Sequence, residues 1–155
     1  MVEILQDLTG NQYKCFVDYA REKSDAILLA FFYITMNKDY EKKMIETRKF
    51  LSPSLIKTRS NPEWPNTKAE IDGPDDVQLL GSHIDLYYPS SELISYLKGA
   101  YSLFSWLPPE HPQDPCFFIN GKCWFSTTAH EKMATLFMET EADICFLDEL
   151  NVHYK

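Results

Sequence analysis

The segment Cys116–Glu131, CFFINGKCWFSTTAHE, constrains the fold of this chain more than any other. Asn120-Gly121 lies between two apolar runs, and this dipeptide tolerates the positive φ that both central residues of a type I′ turn require. The twist of such a turn matches the twist of the strands on either side of it. The segment therefore predicts a tight β-hairpin.

The register of this hairpin assigns its side chains to two faces, because alternate strand residues point to opposite sides. The predicted facing pairs are Ile119–Lys122, Phe118–Cys123, Phe117–Trp124 and Cys116–Phe125. One face then collects Cys116, Phe118, Cys123 and Phe125, and the other collects Ile119, Phe117 and Trp124. Since both faces are apolar, we expect the hairpin to lie inside a larger sheet that is covered on both sides.

The chain has four cysteines without C-x-x-C spacing, and it opens without a basic and apolar leader. On the predicted register Cys116 and Cys123 are diagonal neighbours about 7–8 Å apart, which is too wide for an easy disulfide. We expect them to be reduced core thiols in a cytoplasmic protein. The alternative is a nucleophilic thiol whose pKa is lowered by His111 or His130.

Length and composition indicate one globular domain, 1–155, with 45% hydrophobic and 14% aromatic residues. A chain of this length buries about 68–70% of its unfolded surface and needs no metal or disulfide to fold. Its longest apolar run, 26–34, is far shorter than the ~20 residues of a membrane span. The net charge of −8 disfavours nucleic acid and favours a basic protein partner.

Periodicity and breaker residues predict a mixed fold. Helices are expected over 11–23 with Asn11 as the N-cap, over 39–51, over 91–107 and over 140–150. Strands are expected over 26–33, 55–58 (at a sheet edge), 77–88 and 133–138, in addition to the two hairpin arms. Because helices and strands do not alternate strictly, we predict an α+β domain, with a mainly antiparallel sheet of about five to six strands and about four helices packed on it.

A long segment at about 59–76 is rich in turn-forming residues. Loops longer than about 12–15 residues are uncommon and are often functional. Trp64 lies there beside Glu63, and tryptophan is enriched among binding hot spots. We expect the loop to bind a partner through Trp64, Glu63 and three aspartates, Asp72, Asp75 and Asp76. The alternative is that Trp64 folds back and caps the core.

His130-Glu131 is the candidate catalytic pair, since a histidine beside a carboxylate can act as a general acid or base. The alternative is a structural or partner-contacting pair, because adjacent strand residues point to opposite faces. A metal site would also need His83 and Asp85 beside His130. The sequence does not place their strands together, so we predict no metal and no cofactor.

Three stretches, YAREKSDAILLAFF, SLIKTRSNPEWPNT and FSWLPPEHPQDPCFFINGKCWFSTTAHEKMATLF, resemble a family of small bacterial proteins to which no activity is assigned. The shared order is an E-W-P loop, W-L with prolines and an acidic residue, C-F-F, a glycine turn, an aromatic residue and H-E. The resemblance implies a common fold and no mechanism. The residues that it implies should recur are Trp64, Trp106, Asp114, Trp124, His130 and Glu131.

These observations leave three hypotheses about function. The first is a non-enzymatic cytoplasmic module that binds a basic protein, for example as an immunity protein that neutralises a toxin or nuclease. The second is a small enzyme that uses His130 as general acid or base, assisted by Glu131, Asp114 or His83. The third is a structural component of an assembly, which predicts a broad exposed apolar patch.

Overall fold

A computed structural model describes residues 1–31, 37–59 and 83–155 of the chain. In these ranges four helices pack against a seven-stranded antiparallel sheet, so the predicted α+β class is confirmed, with one strand more than expected. The strands are β1 (Val2–Ile4), β2 (Ala26–Phe31), β3 (Leu55–Arg59), β4 (His83–Tyr87), β5 (Gln113–Ile119), β6 (Lys122–Thr128) and β7 (Met133–Leu136). The helices are α1 (Gly10–Lys23), α2 (Lys38–Leu51), α3 (Ser91–Lys98) and α4 (Glu141–Glu149).

The strands lie in the order β1-β7-β6-β5-β2-β4-β3. β2 is central and buried along its whole length, as its uninterrupted apolar run predicts. β3 lies at one edge, which confirms the expected edge strand. At the other edge β1 pairs with the residues near the C-terminus, since Glu3 and Lys155 exchange two backbone hydrogen bonds of 2.9 and 3.0 Å.

The helices cover one face of the sheet. All four contribute buried side chains to the main core, which also contains Ile27, Leu29 and Phe31 of β2. The alternate β2 residues Leu28 and Ala30 belong to a smaller cluster on the opposite face, hereafter the second face. Among the described residues this cluster contains strand residues and no helix residue. The hairpin lies inside a larger sheet as expected, but the described helices cover that sheet on one side and not on both.

The hairpin turn is formed as predicted, with φ of 50° at Asn120 and 73° at Gly121. The register beyond it differs, because Phe117 pairs with Phe125 instead of Trp124, and Cys116 pairs with Ser126. A β-bulge at Trp124 causes the shift. As a result Trp124 and Phe125 both enter the main core, and Phe125 does not share the cysteine face as predicted.

The predicted helices are present, with two differences at their ends. Thr9 is the N-cap of α1, one residue before its first helical residue, so Asn11 does not cap this helix. α3 ends at Lys98, although a helix as far as 107 is predicted. Gly99 closes α3, and a short 3₁₀ turn, Leu103–Ser105, follows with a Ser102–Ser105 capping box. Tyr101, which lies within the predicted helix, follows the end of α3 and is 77% exposed.

Candidate functional site

A groove of about 540 Å³ runs along the second face of the sheet. This volume lies in the range of about 300–1,000 Å³ that is usual for ligand sites. Its apolar floor and wall come from four strands, with a basic rim on β3 and Asp25 at the hairpin turn. The lining residues are Asp25, Ala26, Leu28, Ile56, Lys57, Arg59, Ile84, Leu86, Phe118 and Gly121.

β3 forms one wall of the groove and has five exposed residues. It pairs with β4 on one side, and no strand within the described ranges pairs with its other side. A register shift between Leu55 and Lys57 bends the strand at Ile56. Lys57 and Arg59 face Leu86 and Ile84 across the ladder and lie on the groove side.

Exposed apolar side chains continue the surface around β3. Ile56 is 54% exposed, Phe50 at the end of α2 is 55% exposed, and Tyr88 after β4 is 48% exposed. Tyr88 is held beside the start of β3 because its backbone N–H donates to the carbonyl of Ser54 at 3.0 Å. We call the surface of Ile56, Lys57, Arg59 and Tyr88 the β3 surface. It combines apolar contact area with two cations.

A buried ionic network holds β3 and β4 against α2. The Asp85 carboxylate is 1% exposed and accepts from Arg48 Nε at 2.6 Å and from Arg48 Nη2 at 3.1 Å. It also accepts from the Thr58 hydroxyl at 2.6 Å and from the Tyr87 hydroxyl at 2.9 Å. Because Thr58 belongs to β3, the network fixes the edge strand on the sheet.

The same network sets the titration of its neighbours. Burial, together with the adjacent Asp85 carboxylate, raises the pKa of Tyr87 above its ordinary value. Burial, together with the Arg48 cation, lowers the pKa of His83, so the imidazole is neutral at neutral pH. Asp85 therefore serves as the anionic partner of Arg48 in this site.

The metal site considered from the sequence is not formed. His83 and Asp85 lie on β4, and His130 follows β6, with β2 and β5 between these strands. No cluster of three or more histidine, cysteine or acidic residues that could hold a metal ion occurs in the part of the chain that the structure describes. The arrangement of the described strands thus separates the three candidate ligands.

His130 and Glu131 lie in a 3₁₀ turn, Ala129–Glu131, between β6 and β7. Their side chains are 53% and 57% exposed, and His130 Nε2 is 3.7 Å from Glu131 Oε1. The turn brings together two side chains that a regular strand would separate. Neither residue lines the groove. The geometry is that of a solvent-exposed contact between an imidazole and a carboxylate, and a catalytic role for the pair stays a prediction.

Asp114 and His111 make structural contacts and do not point to acid–base chemistry at His130. Asp114 is fully buried at a φ of 50°, and its Oδ1 accepts from the Ala129 backbone N–H at 2.7 Å. It thereby holds the turn that carries His130. His111 packs against Trp106, with ring centroids 4.8 Å apart, and burial lowers its pKa.

All four cysteines are free, including Cys116 and Cys123, for which reduced thiols are predicted. Cys116 is fully buried, Cys123 is partly exposed, and both belong to the cluster on the second face. The two side chains pack in this one cluster, with Cys116 opposite Ser126 and Cys123 opposite Phe118 in the ladder.

The partner-binding residues expected from the sequence, Trp64, Glu63, Asp72, Asp75 and Asp76, lie outside the described residues. The β3 surface was missed at the level of sequence. Its signal was present in the predicted edge strand, where the apolar Leu55 and Ile56 are followed by Lys57 and Thr58. What the sequence does not show is that Leu86 and Ile84 of β4 extend these residues into a groove.

Comparisons with protein-family models, with curated proteins and with solved structures find no match to this chain. The resemblance to a bacterial family therefore stays a prediction. Within the described ranges, none of the helices has the length and apolar character needed to cross a bilayer.

Proposed function

We propose that the protein is a non-enzymatic binding module that receives an extended segment of a partner protein along β3. The observation that carries this proposal is an edge strand whose five residues are all exposed. An edge strand presents backbone N–H and C=O groups that a further strand can pair with. Peptide recognition by strand addition uses this backbone pairing for affinity and side-chain contacts for specificity.

The side chains of the β3 surface define the chemistry of the incoming segment. Lys57 and Arg59 lie on the groove side and have no ion-pair partner among the described residues. Oppositely charged cross-strand pairs stabilise a sheet by about 0.2–1 kcal/mol each. Ile56 and the floor of the groove offer apolar contact. The best match is a segment in which acidic and apolar residues alternate.

The global charge supports a different partner. A chain of net charge −8 attracts a basic protein over long range, and the immunity-type hypothesis is the specific form of this idea for a cytoplasmic bacterial protein. Its expected contact residues lie outside the described ranges. We therefore favour the acidic segment, for which contacts of the described residues give support, and we use charge reversal to separate the two.

The test is affinity capture from a lysate of the source cells at low ionic strength, with three immobilised proteins. These are the native protein, Ile56→Asp on β3, and the matched control Tyr101→Asp, which makes the same kind of change at an exposed aromatic residue after α3. We expect the native protein and the control to capture one partner, and Ile56→Asp to bind it at least about tenfold more weakly. Equal capture by all three proteins, or capture of nothing, would overturn the proposal.

The double variant Lys57→Glu/Arg59→Glu shows whether the bound segment is acidic or basic. Calorimetry measures the affinity of this variant and of the native protein for the purified partner. An acidic segment loses its favourable cross-strand charge pairs, so affinity falls. A basic partner would bind this variant more tightly. Thermal unfolding of each variant provides the control for folding, since every substituted side chain is exposed.

A further inference from the structure

Two of the four cysteines form a pair within the sheet. Cys116 lies on β5 and Cys123 on the adjacent strand β6, and both side chains are on the second face. The other two cysteines, Cys15 and Cys145, lie on α1 and α4 and are exposed. The chain therefore has one pair of cysteines within the sheet and two exposed cysteines on helices.

The members of the pair differ in access to solvent. Cys116 is 0% exposed, and its thiol donates to the carbonyl oxygen of Asp114 at 3.4 Å. Cys123 is partly exposed near the hairpin turn and donates to the carbonyl oxygen of Phe125 at 3.5 Å. A small reagent in solvent can therefore reach the thiol of Cys123, whereas the thiol of Cys116 is buried.

The two thiols also differ in the direction in which their pKa values are shifted. Hydrogen bonding from Cys116 lowers the pKa of Cys123, because it stabilises the Cys123 thiolate. Burial raises the pKa of Cys116, and the adjacent Cys123 adds to this effect. Since the thiolate is the nucleophile in thiol chemistry, the more exposed sulfur is also the more reactive one.

We propose that Cys116 and Cys123 are a redox-active dithiol that low-molecular-weight disulfides oxidise to an intramolecular disulfide. The geometry that carries this inference is a pair of free thiols in one side-chain cluster on neighbouring strands, one partly accessible and one buried. The substrate class is a small aliphatic disulfide such as oxidised glutathione. The pair thus has an attacking sulfur and a resolving sulfur, as in dithiol exchange generally.

The exchange proceeds in two balanced steps. The Cys123 thiolate attacks one sulfur of the small disulfide, whose S–S bond breaks and releases one small thiolate. Cys116 then gives its proton to a thiolate or to solvent and attacks the Cys123 sulfur. The mixed disulfide breaks, the protein disulfide forms, and the second small thiolate leaves. Two protein thiols are oxidised, and one small disulfide is reduced to two thiols.

The test uses the full chain with Cys15→Ser and Cys145→Ser, so that only the pair can react. After incubation of the folded protein with oxidised glutathione, mass spectrometry should show a product lighter by two hydrogen atoms and free of glutathione. Dithiothreitol should restore the original mass. Adding Cys116→Ser should stop the reaction at the glutathione adduct, because the resolving sulfur is absent.

Two further results bear on the proposal. Adding Cys123→Ser instead should leave the protein unmodified, since Cys116 is buried, and circular dichroism shows whether each variant is folded. In the folded background protein iodoacetamide should label Cys123 faster than Cys116. A stable glutathione adduct on the background protein, or no reaction at all, would overturn the proposal. Equal labelling of the two thiols would also count against the assigned order of attack.

Discussion

Replacing Arg48 by Met removes the cation that neutralises a buried carboxylate. The Asp85 side chain is 1% exposed, and it would lose two charge-assisted hydrogen bonds, of 2.6 and 3.1 Å, while keeping those from Thr58 and Tyr87. Methionine keeps most of the apolar stem of arginine, so the change isolates the charge. What remains is an anion in the core with two neutral donors.

The size of the effect follows from burial. Removing one partner of a buried ion pair costs about 3–5 kcal/mol. The Arg48 side chain is 24% exposed, so solvent screens part of the interaction and the lower end applies. We expect the free energy of unfolding to fall by about 3 kcal/mol. For a chain of this length this corresponds to a thermal unfolding midpoint that is lower by about 6–12 °C.

Urea denaturation followed by circular dichroism measures this change. The matched control is Lys43→Met, also on α2, which removes an ion pair to Glu110 whose side chains are 48% and 71% exposed. Exposed pairs contribute about 0–1 kcal/mol. Adding Asp85→Asn to Arg48→Met should cost little more, because the charge that needed a partner is gone. Equal destabilisation by Arg48→Met and Lys43→Met would refute the assignment of Asp85 as a buried anion held by Arg48.

Two other predictions concern the hairpin and the buried phenols. Gly121→Ala should lower the free energy of unfolding by about 1 kcal/mol. The φ of Gly121 is +73° and an added Cβ meets no atom within 4 Å, so the cost is that of the left-handed backbone alone. Lys122→Ala is the control, and an unchanged free energy of unfolding for Gly121→Ala in urea denaturation would contradict the turn. Burial raises the pKa of the Tyr13, Tyr87 and Tyr96 phenols, that of Tyr96 to about 12. Their stabilising contribution is therefore complete below the unfolded pKa of about 10 and is lost as pH rises from there through the folded values. The urea midpoint should fall between about pH 10 and pH 12, and an unchanged midpoint would contradict their burial.

The elements that sequence predicts well are those that local conformation decides. Asn120 and Gly121 adopt positive φ because few other pairs tolerate it, and the turn forms as expected. Ser90 caps α3 by accepting from the Leu93 backbone N–H at 3.1 Å. Thr140 and Asp143 form the capping box that starts α4. Each signal lies within a few residues of the structure it specifies.

The features that sequence misses depend on distant contacts. The bulge that places both Trp124 and Phe125 in the core reflects packing against helices that are remote in sequence. β1 is three residues long, too short for a periodic pattern, and it exists through pairing with β7. No local signal predicts either feature, because the energy comes from the tertiary environment.

The candidate site shows the same division. The sequence predicts that 55–58 is an edge strand, and the structure confirms it. It does not predict that Arg48, from the preceding helix, would reach the β4 carboxylate and fix that edge. The sequence predicts a chemically suitable pair in His130 and Glu131, but their exposure in a 3₁₀ turn depends on how Asp114 holds that turn.

The two ends of the sheet are unequal, since residues near the C-terminus already pair with β1 while β3 is exposed. Growth of a fibre by strand addition needs a free donor and a free acceptor edge on every copy. Within the described residues the opposite edge offers only the short segment that pairs with the three-residue β1, which is a poor template for a further strand, so association through β3 stops at a pair. The protein can therefore recognise a partner along β3 without forming fibres, although an exposed edge strand usually favours aggregation.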